Sequence, residues 1–563
     1  MLLLYDSMTT EMKRLEEFRC QFPLLESQVY GKPLVYFDNA ATTQKPAKVI
    51  EASSHFYETQ NANVHRASHV ISAKATTAFE QSRTAVAQFI NARSTKEVIW
   101  TSGTTNAINL VAQSWGKANL TKHDKVLVSV AEHHANIVPW QMIAKETGAE
   151  IVAINLTSSG VIDLKHLKRE LSANVKLISV NHISNVTGKL NPVEAIINLA
   201  KEVGAKVLID GAQAIAHHRI DVQKLDCDFY VFSGHKMFGP TGLGVLYGKQ
   251  AILEAMPVYQ TGGEMIKSVS FVKGTCFNEL PFKFEPGTPN IASVVAFNDA
   301  IALIEAHRDL IAKQDDELTR YTYQSLCQIK AVKPLFDGLP DIPLFSFSVD
   351  NQHNQDVAAY LDSKGIAIRA GHHCAMPLME YLAIDGCLRV SLAPYNTKQE
   401  VDFLVSTLQG LLSNEQSIEV IESAHQEGQA LKIIERFNVA NSWDKKHREI
   451  MMLGKEFARM DKALRSAESL ISGCESKAWL IAESTANGYE FSADSDAKIV
   501  RGLLAVTLAA YQGKSADEIL AFDIESYFNK LGLQSHLSPS RGNGLLSIVE
   551  KIKSIAESKL LTQ

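Results

Sequence analysis

Residues 206–248 read KVLIDGAQAIAHHRIDVQKLDCDFYVFSGHKMFGPTGLGVLYG, and this stretch decides the fold. It holds three short runs rich in β-branched and aromatic residues: Lys206–Ile209, Phe229–Phe232 and Gly244–Tyr247. None alternates polar with apolar, which is the pattern of strands covered on both faces. Further runs lie upstream at Lys125–Val130, Glu150–Ile154 and Val175–Val180. Helix-like segments such as Val193–Val203 separate several of them. The alternation predicts an α/β unit on a mostly parallel sheet, which binds ligands at the carboxyl ends of its strands. Polar residues just past those ends are therefore the first candidates for chemistry. They are Glu132-His133-His134, Asn181-His182, Asp210 and Ser233-Gly234-His235-Lys236.

The remainder of the chain frames this unit. It has 563 residues, 46% hydrophobic and 21% charged, which excludes a disordered or coiled-coil protein. Lys+Arg number 56 against 62 Asp+Glu, a net charge of -6, so there is no footprint for nucleic acid or an anionic membrane. The seven cysteines are Cys20, Cys227, Cys276, Cys327, Cys374, Cys387 and Cys474, and no two have C-x-x-C spacing. Neither a zinc ribbon nor a disulfide framework is expected, no metal site is predicted, and a reducing cytoplasmic compartment follows. The apolar run Leu2–Tyr5 is too short for a signal peptide, and no stretch of about 18 apolar residues suggests a membrane span. A helical pattern at Ala296–Lys330 precedes a strand at Leu344–Val349, a helix at Asp356–Lys364 and a strand at Ala367–Arg369, a smaller α+β unit. Leu411–Gly428 is polar and acidic and reads as a linker. Helix faces follow at Ile433, Ile434 and Phe437, at Ile450, Met451, Leu453 and Phe457, and at Ile499, Leu503, Leu504 and Val506, with a strand-like turn at Gly488–Phe491.

The strongest chemical signal pairs Asp210 with Lys236. A carboxylate at a strand end can keep a pyridine nitrogen protonated, and a lysine in a nearby small-residue turn can form a Schiff base. Pyridoxal phosphate (PLP) needs both. Thr101-Ser102-Gly103-Thr104-Thr105 precedes a helical run and offers backbone N–H groups and hydroxyls to a phosphate. Ser233 and His235 can add donors, and His133 can stack on the ring. Each residue alone has a plainer reading: a capping aspartate, a solvated lysine, an ordinary helix start. Their combination on these element ends is what argues for a cofactor. Cys374, in Arg369-Ala-Gly-His-His-Cys, is the candidate nucleophile, with His372, His373 and Arg369 to favour its thiolate. The alternatives are a buried structural cysteine or part of a metal site, although consecutive His-His-Cys cannot easily place three ligands around one ion and no second ligand pair is nearby.

Residues 20 to 410 resemble the type II (SufS/CsdA-like) cysteine desulfurases, fold-type I PLP enzymes with a large, mostly parallel sheet domain and a small α+β domain. The resemblance is carried by YFDNAATTQKP, NANVHR, EHHANIVPWQ, HISNVTGKLNPV, DGAQAIAHH, DCDFYVFSGHKMFGPTGLGVLYGK, TGGEMI, GTPNIAS and RAGHHCAMPLM. It implies a desulfurase over 1–410, with a large domain at about 35–290 and a small one from the N-terminal segment and about 291–410. It implies that Lys236 anchors PLP, Asp210 meets the pyridine nitrogen, Gln213 the ring hydroxyl and His133 the ring face. Thr104, Ser233 and His235 would hold the phosphate, with Thr288 reaching the phosphate of a partner in a homodimer. Asn185 would lie near the cofactor and the carboxylate of L-cysteine, which Arg389 would bind, with Arg369 and His65 at the mouth. Ser102 stands where the family pattern has arginine and Pro286 where it has alanine.

Residues 429 to 563 resemble the SufE-like sulfur acceptors through MMLGKEF, ISGCESKAWL, FSADSDAKIVRGLLAV and FDIESYFNKLGLQSHLSPSRGNGL. The resemblance implies an α+β acceptor domain in which Cys474 takes sulfur from Cys374. Glu475 replaces an expected glutamine, and an anion there disfavours a resting thiolate at Cys474. Arg501, Arg541 and Asp496 match family positions without an assigned role. The expected function is a fused desulfurase and acceptor supplying iron–sulfur scaffold proteins. Selenocysteine lyase, cysteine sulfinate desulfinase, aminotransferase and a catalytically silent sulfur scaffold are the competing readings.

Overall fold

The computed structural model describes residues 10–413, 429–440, 443–471, 476–485, 488–533 and 539–560. They fall into two compact units that do not follow the chain linearly. The described residues within Met1–Ser27, Val35–Phe347 and His372–Asp402 form the first, and those within Gln28–Leu34, Ser348–Gly371 and Phe403–Gln563 the second.

The first unit is built on seven strands. In chain order these are β1 (Val98–Thr101), β2 (Lys125–Ser129), β3 (Glu150–Ile154), β4 (Val175–Asn181), β5 (Lys206–Asp210), β6 (Phe229–Ser233) and β7 (Gly244–Gly248). Their order across the sheet is β1-β7-β6-β5-β4-β2-β3. The pairs β2–β3, β2–β4, β4–β5 and β5–β6 are parallel, while β7 runs antiparallel to β6 and β1. The lack of polar alternation has the cause expected from the sequence. Leu127, Ile178, Ile209, Tyr230 and Phe232 enter one core cluster, and Val126, Val128, Leu177, Leu208, Phe229 and Val231 another. Successive side chains point to opposite faces of a strand, so both faces are covered.

Two features of this unit escaped the sequence reading. Strand β1 is only four residues, all buried, and pairs antiparallel at the sheet edge. The pattern at Ala296–Lys330 is two helices, Ile291–Ala306 and Arg308–Cys327, separated by His307. The first is buried along most of its length and the second is polar on one side, so a single periodicity could not describe both. Beside the large sheet, β8 (Val332–Pro334), β9 (Leu344–Val349) and β10 (Cys387–Ser391) lie in that order, with Arg389 opposite Ser346. Ser391 at the end of β10 bridges to Asp38, which brings residues 36–46 into the site.

In the second unit a helix spans Asn354–Asp362 rather than Asp356–Lys364, because the His353 side chain caps it by accepting from the Gln355 N–H. The acceptor-like part contains helices Gln429–Val439 and Trp443–Glu456 and a long antiparallel hairpin of β11 (Ala478–Thr485) and β12 (Gly488–Ser495). The strand-like turn expected at Gly488–Phe491 is thus the start of a full strand. Helix Lys498–Tyr511 follows it. Leu411–Ser413, the first residues of the expected linker, end the helix Lys398–Ser413, and 414–428 lie outside the described residues.

Candidate active site

Strand β5 delivers Asp210 to the carboxyl edge of the sheet, 6% exposed. Burial pushes its carboxyl above the ordinary value, while the Ala212 N–H, 2.9 Å away, and the charge of Lys236 pull it back. The turn that follows packs directly on Tyr230: a Cβ on Gly211 would lie 2.1 Å from that ring. The Tyr230 hydroxyl bonds His182 Nδ1 at 3.0 Å. Burial, then the charge of His218, pushes His182 down to about 4, so it is neutral at neutral pH. Gln213 Nε2 donates to Ala40 O at 2.9 Å. Gln213 and Lys236 line one cleft together with Asn39, Ala40 and Thr43.

Strand β6 ends at Ser233, and a 3₁₀ turn, Gly234–Lys236, carries the lysine. The carbonyl of His235, one residue before it, accepts from the Thr43 N–H at 3.1 Å and from Lys45 Nζ at 2.9 Å. Burial pushes Lys45 down to about 7. Burial, then the charges of Lys236 and Lys45, pushes His235 down to about 4. Helix α1 (Thr104–Val111) begins beside Ser233: the Thr104 N–H donates to Ser233 Oγ at 2.8 Å, and the two hydroxyls are 2.7 Å apart. Its N-cap is Gly103, which provides no side-chain cap. Gly244 must remain glycine for this start to sit on the sheet, since a Cβ there would be 2.4 Å from Gly103 Cα.

His133 lies in the turn after β2, its Nδ1 accepting from the Ala135 N–H at 3.0 Å. Beneath it Glu132 is fully buried. Glu132 Oε1 meets Ser129 Oγ at 2.5 Å and Asn181 Nδ2 at 2.7 Å, and Oε2 meets Asn136 Nδ2 at 2.7 Å. Burial pushes this carboxyl up to about 8 against those bonds, and the charge of Asp210 adds to the rise.

Cys374 is exposed at the tip of a loop in which His373 and Cys374 both have left-handed backbone, φ 52° and 55°. Its carbonyl accepts from the His134 N–H at 2.7 Å, and His134 Nε2 accepts from the Met376 N–H at 2.9 Å. The cysteine loop and the turn carrying His133 are thereby tied together. Burial, then the charge of His372, lowers the His134 pKa, so it is an acceptor here. His373, expected beside the thiol, turns inward instead, its Nε2 donating to Cys387 O at 3.1 Å. Asn185 Nδ2 donates to His373 O at 2.8 Å, and Asn185 O accepts from Arg389 Nη1 at 3.0 Å. Arg389, 2% exposed, also pairs with Asp38 through Nη2 at 3.0 Å.

These residues suit PLP. A carboxylate whose burial disfavours its charge is relieved by a protonated ring nitrogen. A helix start with hydroxyls beside it suits a phosphate, and a lysine stands in the adjoining turn. Other expected residues come from other segments. His65 binds Glu80 through Nε2 at 3.0 Å, with its ring edge-on to Phe282. Thr288 is exposed in the loop before helix Ile291–Ala306, and Arg369 belongs to the second compact unit. Cys474 and Glu475 lie outside the described residues. Asp38, Lys45 and Glu132 gained no individual role from sequence, although Asp38 and Lys45 fall in YFDNAATTQKP and Glu132 opens EHHANIVPWQ.

Comparison with known proteins gives two family matches: aminotransferase class-V over residues 35–404 and the Fe-S metabolism associated domain over 431–556. A probable cysteine desulfurase of Vibrio cholerae is 49% identical over 405 residues, 70% of this chain and 98% of that protein. A cysteine desulfurase of Salmonella agona is 46% identical over 394 residues, 70% of this chain and 97% of that protein. The crystal structure of the cysteine desulfurase CsdA from Escherichia coli matches with a TM-score of 0.66 and 39% identity, covering 71% of this chain and 98% of that one.

Proposed function

The chain belongs to the aminotransferase class-V family as a PLP-dependent cysteine desulfurase fused to a SufE-type acceptor for iron–sulfur metabolism, and from that premise we propose how its residues divide the work. The observation that carries the proposal is the 2.7 Å bond from the His134 N–H to the Cys374 carbonyl. It makes the nucleophile's loop and the His133 turn one assembly.

PLP, when bound, supplies a sink for the electrons released at the substrate's α-carbon. Asp210 would meet its ring nitrogen, Gln213 the ring hydroxyl, His133 the ring face, and Thr104, Ser233 and His235 the phosphate. Arg389 and Asn185 bind the carboxylate of L-cysteine, and charge-assisted bonds from a planar guanidinium fix its direction. His65 lines the entrance. Lys236 Nζ takes the α-proton and returns a proton as alanine forms. Cys374 Sγ, as the thiolate, attacks the substrate sulfur. The substrate C–S bond breaks as the new S–S bond forms, so cysteine and the Cys374 thiol become alanine and a Cys374 persulfide. The Cys474 thiolate then attacks the outer sulfur of that persulfide, and the Cys374 thiolate leaves with no net redox change.

The chain works as a homodimer in which Thr288 completes the partner's phosphate site, and iron–sulfur scaffold proteins receive the sulfur. A cytoplasmic setting suits this persulfide chemistry. Among the described residues no helix is long and apolar enough to cross a membrane. The test is alanine and sulfide production from cysteine with reductant kept too low to take sulfur directly from Cys374. Cys374→Ser should be inactive and Cys474→Ser strongly slowed. A Cys474→Ser enzyme as fast as the parent would reject the relay.

A further inference from the structure

The acceptor part is anchored by a residue outside its own sequence. The second compact unit joins 403–563 with Ser348–Gly371, a segment inside the class-V match. Within it, helix α2 (Asn354–Asp362) carries Asp356, 3% exposed. Asp356 Oδ2 accepts from the Lys498 N–H and Oδ1 from the Ile499 N–H, both at 2.8 Å. These are the first amides of helix α3 (Lys498–Tyr511), whose own N-cap residue, Ala497, has no side chain that can cap. The cap therefore comes from 142 positions away. Beside it, His353 Nε2 lies 3.6 Å from Asp496 Oδ1.

The apolar side of the joint is independent of that cap. Ala359 of α2 belongs to the acceptor core cluster, and Tyr30 packs against the same cluster. Tyr30 sits at the tip of the small hairpin Gln28–Pro33, its ring 6.4 Å from that of Trp443. The hairpin is tied to the end of α2, since the Tyr30 hydroxyl donates to Asp362 Oδ2 at 3.2 Å and Lys32 Nζ donates to Ser363 O at 2.7 Å. Hairpin tip and helix form one surface, and the acceptor core covers it.

We propose that Asp356 is the docking residue that fixes the acceptor domain onto α2, and that sulfur delivery to Cys474 depends on this docking. The proposal rests on the relay reading above and goes beyond it by naming the surface. Each half of the contact lacks something the other supplies. A helix start without a cap leaves amides unsatisfied, and a buried aspartate without donors is costly. Joined, they satisfy both and place a negative charge at the positive end of α3. A tethered domain that docks keeps a high effective concentration in one geometry.

The test uses the full-length holoenzyme with Asp356→Ala and Asp356→Asn. Alanine formation is read with excess dithiothreitol as sulfur acceptor, and Cys474 persulfide is read by mass spectrometry after a single turnover. Asp356→Ala should leave dithiothreitol-driven alanine formation within about twofold and slow Cys474 labelling about tenfold, the scale of a lost cap. Asp356→Asn, which keeps one acceptor oxygen, should fall between. Amide exchange should quicken at Lys498 and Ile499 while β11 and β12 stay protected. Parental labelling of Cys474 in Asp356→Ala would overturn the proposal. So would loss of protection across β11 and β12, because the residue would then serve folding rather than docking. Absence of persulfide on Cys474 in the parent enzyme would instead overturn the relay reading, and with it the role of docking in delivery.

Discussion

Replacing Glu132 by glutamine should be far from conservative, and the hydrogen-bond network says why. The Trp140 indole N–H can only donate, and it donates to Asn136 Oδ1 at 3.1 Å. Asn136 Nδ2 must therefore face Glu132. On the other side, the Ile162 N–H donates to Asn191 Oδ1 at 3.0 Å, and Asn191 Nδ2 donates to Asn181 Oδ1 at 2.8 Å. Asn181 Nδ2 must therefore also face Glu132. Both carboxyl oxygens meet amide donors, and only the Ser129 hydroxyl can reverse. A carboxylate or a carboxylic acid satisfies this; a glutamine sets N–H against N–H on one side. The cost of one such buried mismatch is about 1–3 kcal/mol. The pH dependence supplies a second signature. The folded value of about 8 lies above the ordinary 4.5, so the folded protein holds a proton that the unfolded chain has released. Stability is then full below about 4.5 and falls as pH rises towards 8. At about 1.36 kcal/mol per pH unit the loss reaches at most about 5 kcal/mol. Urea unfolding of both holoproteins from pH 5 to pH 9 measures this. The variant should be less stable at pH 5, and its deficit should shrink or reverse by pH 9. Equal stability at pH 5, or a difference that does not change with pH, would refute the argument.

Other residues give sharp expectations. Asp210→Asn removes the buried charge meant for the ring nitrogen and should lower alanine formation at least about 100-fold, the scale of breaking a buried pair, in steady-state assays at saturating cysteine. Arg389→Lys keeps the charge but loses the planar fork, so the KM for cysteine should rise about tenfold or more while Cys374 alkylation is unaffected. Gly244→Ala drives a methyl into Gly103 and should reduce PLP content, measured by cofactor release after denaturation, without loss of the β2–β5 core.

The sheet was legible because burial on both faces writes itself into the residues. Glu150–Ile154 and Val193–Val203 have the bounds read from the pattern. Strand β1 was not legible, because three apolar residues and a threonine before a Ser-Gly turn carry too little periodicity. Hairpin β11–β12 was half seen: β11 mixes buried and exposed residues without regular alternation. Site residues at strand ends could be picked one at a time, since strand-end position alone nominates them. Their partners could not. Arg389 and Asp38 are 351 positions apart, and Glu132 joins its local partners Ser129 and Asn136 to Asn181, 49 positions away on β4. Such pairings exist only after folding.

With Arg389 assigned to the substrate carboxylate as proposed above, its ion pair with Asp38 means that the pocket is not bare at rest. Arg389 meets an incoming carboxylate with a resident anion already on its guanidinium, so binding is an exchange or a sharing rather than the filling of a bare positive hole. A zwitterion brings its own ammonium and keeps the pocket close to neutral. The proposed carboxylate subsite is therefore a pre-aligned guanidinium, held between the Asn185 carbonyl and the Asp38 carboxylate before any substrate arrives.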